Sequence, residues 1–218
     1  MQRIQRTITK LGVDETSTKK GHHYVTLGVD LDESRVIHVT EGKGKATLEN
    51  IQKHLETKGV NKEQVKQISM DLSPSFIAGA AGSFPDAQIT FDRFHVVKLL
   101  NEAMNQVRII ERKEHLELKG HKYTFLKKRE NLSATKEQAL DELIKLYPTL
   151  GEAYRLKVLF NDLWTMPDKP AAEAFLKQWC AEVDTAKIPA FMKFANTVRA
   201  NASKLRCNTI IIKRFYRL

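Results

Sequence analysis

The sequence predicts an α/β fold in two parts: a mixed sheet of three antiparallel strands and then parallel strands with helices, followed by a wholly helical segment. Three observations lead there. Up to Asp92 the apolar runs are short and bounded by turn residues, the mark of strands. From Phe94 onward apolar residues recur at helical spacing, with Pro148, Pro167, Pro170 and Pro189 as punctuation. The hydrophobic share, 42% of 218 residues, is enough to bury a core, so disorder is not the default.

In chain order, strand signals occur at Ile8 to Asp14, Tyr24 to Asp30 and Arg35 to Thr40. The last two are joined by the turn-rich Leu31-Asp32-Glu33-Ser34, which makes an antiparallel meander. Thr47 to Lys58 carries Leu48, Ile51 and Leu55 at helical spacing and predicts an amphipathic helix over one sheet face. Val65 to Asp71 and Ala87 to Asp92 are apolar runs ending in Asp. Between them a helix is expected from Ser73-Pro74, because Ser caps helices and Pro fits the first turn. Strand, helix, strand in so short a span requires a parallel crossover. The whole order is the RNase H-like arrangement. Beyond it a long helix is expected around Val96 to Leu118, with others near Lys136 to Leu146, Gly151 to Leu163, Ala171 to Val183 and Pro189 to Ala200. The expected organisation is a core over residues 1–93, a helical insertion over 94–203 and a basic tail over 204–218.

Lys and Arg total 36 against 26 for Asp and Glu, a formal charge of +10 that favours a polyanionic partner such as nucleic acid. Charge alone does not separate nucleic acid from other anionic surfaces. Cys180 and Cys207 lie far apart, so neither a disulfide framework nor a cysteine zinc site is suggested, which fits a reducing cytoplasm. The apolar runs fall far short of the roughly 20 residues that span a bilayer, and a cytoplasmic chain is expected. Gly42-Lys43-Gly44-Lys45 lacks the spacing of a phosphate loop.

Asp14, Asp71 and Asp92 each stand at or near the end of a strand-like run, where a mixed sheet brings side chains to one edge. Carboxylates gathered there repel unless cations neutralise them, and oxygen-only ligands suit Mg²⁺ or Mn²⁺. Two such ions could activate water or a 3′-hydroxyl and stabilise the leaving oxygen in phosphoryl transfer. Asp also ends strands simply because it starts turns. His95, one turn into a predicted helix, could orient a carboxylate, contact phosphate or be a satisfied structural histidine. The cluster Lys119, Lys122, Lys127, Lys128 and Arg129 around Tyr123 and Phe125 suits a nucleic-acid strand, or equally a solvated face over two core aromatics. A rival constellation is Asp30 and Asp32, a DxD after an apolar strand, as in haloacid-dehalogenase-like phosphatases. That fold needs a helical crossover next, whereas Arg35 to Thr40 reads as a return strand. His22 and His23 beside Lys19 and Lys20 show no partner at metal-ligand spacing, and Trp164 and Trp179 fit a helical core.

Three stretches carry a family resemblance: GVDETSTKKGHHYVTLGVDLD (Gly12 to Asp32), ISMDLSPSF (Ile68 to Phe76) and ITFDRFHVVKLLNEAMNQVR (Ile89 to Arg108). Together they resemble the catalytic domain of bacterial insertion-sequence DDE transposases of the ISL-three family, over nearly the whole chain to about Ala200. The resemblance implies that Asp14 and Asp71 are the first two acids of the catalytic triad and hold divalent cations. It implies that Asp92 and His95 form the Asp-x-x-His signature in a supporting role, and that the helices after His95 are an insertion before the third acid. The implied activity is metal-dependent DNA cleavage and strand transfer, with DNA as partner and a second copy or a full-length transposase beside it. The third acid of this family is a Glu after the insertion, and no Glu follows Asp184. The family also begins with a zinc-binding and helix-turn-helix DNA reader that this sequence lacks, so the resemblance implies a chain truncated at both ends, with an out-of-frame tail, and inactive alone. The non-enzymatic expectation is a remnant that binds DNA or an intact transposase through its basic helical part.

Overall fold

The computed structural model describes residues 7–17 and 23–202. The expectations for Lys19, Lys20 and His22, and for the 204–218 tail with Cys207, lie outside those residues. The described residues divide into two compact units, one ending at Val96 and one beginning at Val97.

The first unit is built on a sheet of β1 (Lys10–Ser17), β2 (Tyr24–Asp30), β3 (Arg35–Glu41), β4 (Gln67–Met70) and β5 (Gln88–Phe91). The strands lie in the order β3-β2-β1-β4-β5. β2 pairs antiparallel with both β1 and β3, whereas β4 runs parallel to β1 and to β5. This is the α/β mixed sheet of an RNase H-like domain. Arg35–Glu41 is a return strand, so the helical crossover that a dehalogenase-like arrangement needs after Asp30 is not formed. Asp30 instead closes the turn: its Oδ1 accepts the N–H groups of Asp32 and Glu33 at 3.1 and 3.3 Å. Asp32 pairs with Lys10 at 2.7 Å, and that bond holds its carboxyl below the usual range.

Helix α1 (Lys45–Thr57) buries Thr47, Leu48, Ile51 and Leu55, the face its periodicity predicts. Ile51 lies so close to Gly28 on β2 that a Cβ there would meet it at 3.2 Å. Helix α2 (Pro74–Ser83) buries Phe76, Gly79 and Ala80, and a Cβ on Gly79 would sit 3.0 Å from Lys45 Cα. The glycine thus sets how closely α1 and α2 approach. Pro74 takes the first turn as expected, but Ser73 makes no cap bond; its hydroxyl pairs with that of Ser75 at 2.9 Å. Leu11, Leu48, Ile51, Ile68, Phe76 and Phe91 form the centre of this unit. Each contributes about 1.5–3 kcal/mol by leaving water.

Helix α3 (Arg93–Glu111) contains the boundary between the units and stops short of the expected Leu118; Leu116–Leu118 is a separate 3₁₀ turn. The second unit continues with α4 (Lys122–Leu126), α5 (Ala134–Leu146), α6 (Pro148–Phe160), α7 (Lys169–Ala186) and α8 (Pro189–Ala200). Asp168 caps α7 by accepting the Ala171 N–H at 2.8 Å. Phe160, Trp179 and Phe194 meet edge to face, with centroids 4.9, 5.1 and 5.8 Å apart. Trp179 Nε1 donates to Leu156 O at 2.9 Å, tying α7 to α6. Lys157 is buried and its ammonium donates to three carbonyls at the end of α4, those of Phe125, Leu126 and Lys127, at 2.7, 3.0 and 3.3 Å. Burial pushes its pKa down to about 8.

Candidate active site

The register of the sheet brings three aspartates to one edge. β1 and β4 pair in parallel through Gly12 and Ser69, and β4 and β5 through Met70 and Phe91. Carried on by one or two residues, that register sets Asp14, Asp71 and Asp92 level across three neighbouring strands. Asp71 and Asp92 follow the last paired residues of β4 and β5, as expected. Asp14 differs. It lies inside β1, opposite Leu27, because pairing with β2 continues the strand to Ser17. The strand-end position predicted for it is corrected to a point where β1 has parted from β4 but not from β2.

His95 stands among them. Its Nε2 lies 3.5 Å from Asp14 Oδ1 and its Nδ1 lies 3.5 Å from Asp71 Oδ1. Those are ion-pair distances, too long for good hydrogen bonds. Nδ1 is sealed from solvent and makes no hydrogen bond among the described residues. Burial works against the charged imidazole, but Asp14, Asp71 and Asp92 together outweigh it and hold its pKa above the ordinary histidine value. When protonated, the imidazole is placed to act as a counter-ion between the two carboxylates.

Asp92 has a different task. Its Oδ1 accepts the Phe94 N–H at 2.8 Å, the bond of a helix cap, and its own N–H donates to Met70 O at 3.1 Å. The residue is buried, and that desolvation raises its pKa, with Asp14 and Asp71 adding to the rise and the Phe94 bond and His95 opposing it. Asp92 thus turns β5 into α3, and the cap places His95 within the helix's first turn. Spacing alone does not reveal this role; Asp two residues before a helical Phe is its only signal in the sequence.

The donor chemistry fits a hard divalent cation. Asp14 and Asp71 supply carboxylate oxygens, and their side chains stay 35% and 26% exposed, open to an incoming ligand. Mg²⁺ commonly takes one or two carboxylates and completes its shell with water and phosphate oxygens. Among the described residues no group of three or more His, Cys, Asp and Glu is arranged to hold a metal. The orphaned Nδ1 of His95 marks the same spot as polar and incompletely satisfied.

The basic candidates divide. Lys122 and Lys127 make no ion pair among the described residues, and Lys122 Nζ lies 5.5 Å from the Tyr123 ring, which is 57% exposed. Lys128 pairs with Glu130 at 3.3 Å. Arg129 is engaged: it reaches Glu137 at 2.7 Å and clasps Asp141 through two bonds of 2.8 and 2.6 Å. Its guanidinium is neutralised within the chain. Phe125 is a core residue.

A family model described as Transposase matches residues 11–209. The transposase for insertion sequence element IS1001 of Bordetella parapertussis is 24% identical over 200 residues, 88% of this chain and 49% of that protein. The transposase for insertion sequence element IS1557 of Mycobacterium tuberculosis is 27% identical over 229 residues, 91% of this chain and 51% of that protein. The chain spans about half the length of these curated relatives. Among the described residues no helix is long and apolar enough to cross a membrane.

Proposed function

Because this chain belongs to the ISL-three family of DDE transposases, we propose that Asp14 and Asp71 form the divalent-metal end of its DNA-cleaving and strand-transfer centre. The observation that carries the reading is the meeting of these two carboxylates across His95, at 3.5 Å on either side. When bound, Mg²⁺ or Mn²⁺ would activate a water or a 3′-hydroxyl and stabilise the departing phosphodiester oxygen. Asp14 and Asp71 would hold the cation. His95 holds positive charge between them in its absence and offsets their repulsion. Asp92 fixes the turn from which His95 projects and is not a ligand in this reading.

The substrate class is DNA, at insertion-sequence ends and target, approached through the basic surface that Lys122 and Lys127 leave unpaired. The third acid of a DDE centre is a Glu, and the last Glu of this sequence is Glu182, in α7. On this reading the described residues bind metal and DNA, working alongside a second copy or a full-length transposase.

Mn²⁺ titration of the purified chain, followed by calorimetry or electron paramagnetic resonance, tests the reading. Binding is expected in the wild type and its loss in Asp14→Asn and in Asp71→Asn. Binding that persists in both variants would place the metal elsewhere.

A further inference from the structure

Among the described residues, the second unit contains an arginine with no counter-charge. Arg108, on α3, is only 5% exposed. Its Nε and Nη2 both donate to Asn105 Oδ1, at 3.1 and 2.9 Å, an uncharged acceptor one turn back. No carboxylate among the described residues pairs with it. Burial, and then the like charge of Arg112 one turn on, hold the guanidinium below its ordinary pKa. Nη1 makes no bond among the described residues.

Three further arginines of the unit make the contrast. Arg129, Arg155 and Arg199 are each about half exposed and each pairs with one or two carboxylates. Exposed pairs of that kind contribute little. The buried arginine, where desolvation makes an unpaired charge most unfavourable, has no such partner. A site of this kind is completed by an anion from outside, and in a chain of net charge +10 the fitting one is a polyanion. Guanidinium matches a phosphate through planar, paired N–H groups, and Arg112, one residue past the end of α3, donates its N–H to the Arg108 carbonyl at 2.9 Å and so continues the same turn.

We propose that Arg108 and Arg112 bind a backbone phosphate of the DNA substrate, a contact separate from the carboxylate pair in the first unit. The proposal rests on the reading of this chain as part of a DNA transposase. Arg108 is the buried, pre-oriented donor and Arg112 the exposed one.

Fluorescence anisotropy of the full 218-residue chain on a labelled DNA duplex, repeated over a range of salt, tests it together with thermal unfolding. Arg108→Met is expected to weaken binding on the order of tenfold and to shallow the log–log salt dependence by about one. Its Tm should hold or rise, since an uncompensated buried charge has gone. Arg112→Gln, which is exposed and safe for folding, should shallow the slope by about one as well. Arg129→Gln should leave it unchanged. Unaltered affinity and slope in both Arg108→Met and Arg112→Gln overturns this proposal alone. Absence of salt-dependent binding in the wild type overturns the DNA reading and the proposal with it. If the counter-charge is a carboxylate of a second copy, Arg108→Met will lose a concentration-dependent Tm and keep DNA binding, which also overturns it.

Discussion

Asp92 Oδ1 accepts the N–H of Phe94 at 2.8 Å while the Asp92 N–H donates to Met70 O at 3.1 Å, so one buried residue ends β5, opens α3 and sets His95 against Asp14 and Asp71. The relation separates two jobs that three level aspartates would otherwise seem to share. Two of them face the His95 ring and one shapes the backbone that delivers it.

Removing the charge while keeping the cap distinguishes those jobs. Asn caps helices about as well as Asp, so Asp92→Asn should stay within about 0.5 kcal/mol of the wild type in urea unfolding, and Asp92→Ala should lose ~1–2 kcal/mol. Asp92→Asn should also retain Mn²⁺ binding. Equal stability of the two variants would show that the cap is not what holds this corner.

His95→Ala takes the positive charge from between two carboxylates. In metal-free buffer the variant is expected to melt below the wild type, and added Mg²⁺ should raise its Tm more than that of the wild type, because the ion then supplies the missing charge. Equal Mg²⁺ shifts in the two proteins would sink the counter-ion role.

Gly151 lies in the first turn of α6, where a Cβ would come 2.5 Å from the Ile144 carbonyl oxygen at the end of α5. Helix propensity alone favours Ala there by about 1 kcal/mol. The clash is with backbone and cannot be relieved by a rotamer, so Gly151→Ala is expected to destabilise by ~1–3 kcal/mol in the same assay. A gain in stability would show that α5 and α6 shift apart freely.

Lys157→Met leaves three carbonyls of the α4 terminus without their donor and should lose about 2 kcal/mol or more near neutral pH. The difference should depend on pH. Folding lowers the Lys157 pKa from 10.5 to about 8, so between those values the unfolded chain holds a proton that the folded chain has released. Wild-type stability relative to Lys157→Met is therefore constant below about pH 8 and rises, by up to ~3 kcal/mol, as pH climbs to 10.5. Parallel melts across that window check the sign; a relative loss would mean that the three carbonyls hold the ammonium more firmly than burial disfavours it.

Much of the first unit was legible because its signals are local. The Leu31-to-Ser34 turn, the Leu48, Ile51 and Leu55 stripe, and apolar runs ending in Asp71 and Asp92 follow from periodicity and turn chemistry, which neighbours in the chain carry themselves. α3 was misjudged in length for the complementary reason. The expected helix runs on to Leu118, but Arg112 to His115 carry no apolar residue to bury, and Leu116–Leu118 forms a separate 3₁₀ turn.

By itself the sequence determined the element order, the family and the residues that could meet at the sheet edge. Only the tertiary structure decided which charges meet. It placed Asp14 within β1, since pairing with β2 extends the strand beyond it. It spent Asp92 on a cap, and it bound Arg129 to acids in α5 while leaving Arg108 with a neutral partner. It buried Lys157 under carbonyls some thirty residues earlier. Spacing records what a residue's chain neighbours demand; counter-charges and hydrogen-bond partners come from segments far apart in the chain, and only packing brings those within reach.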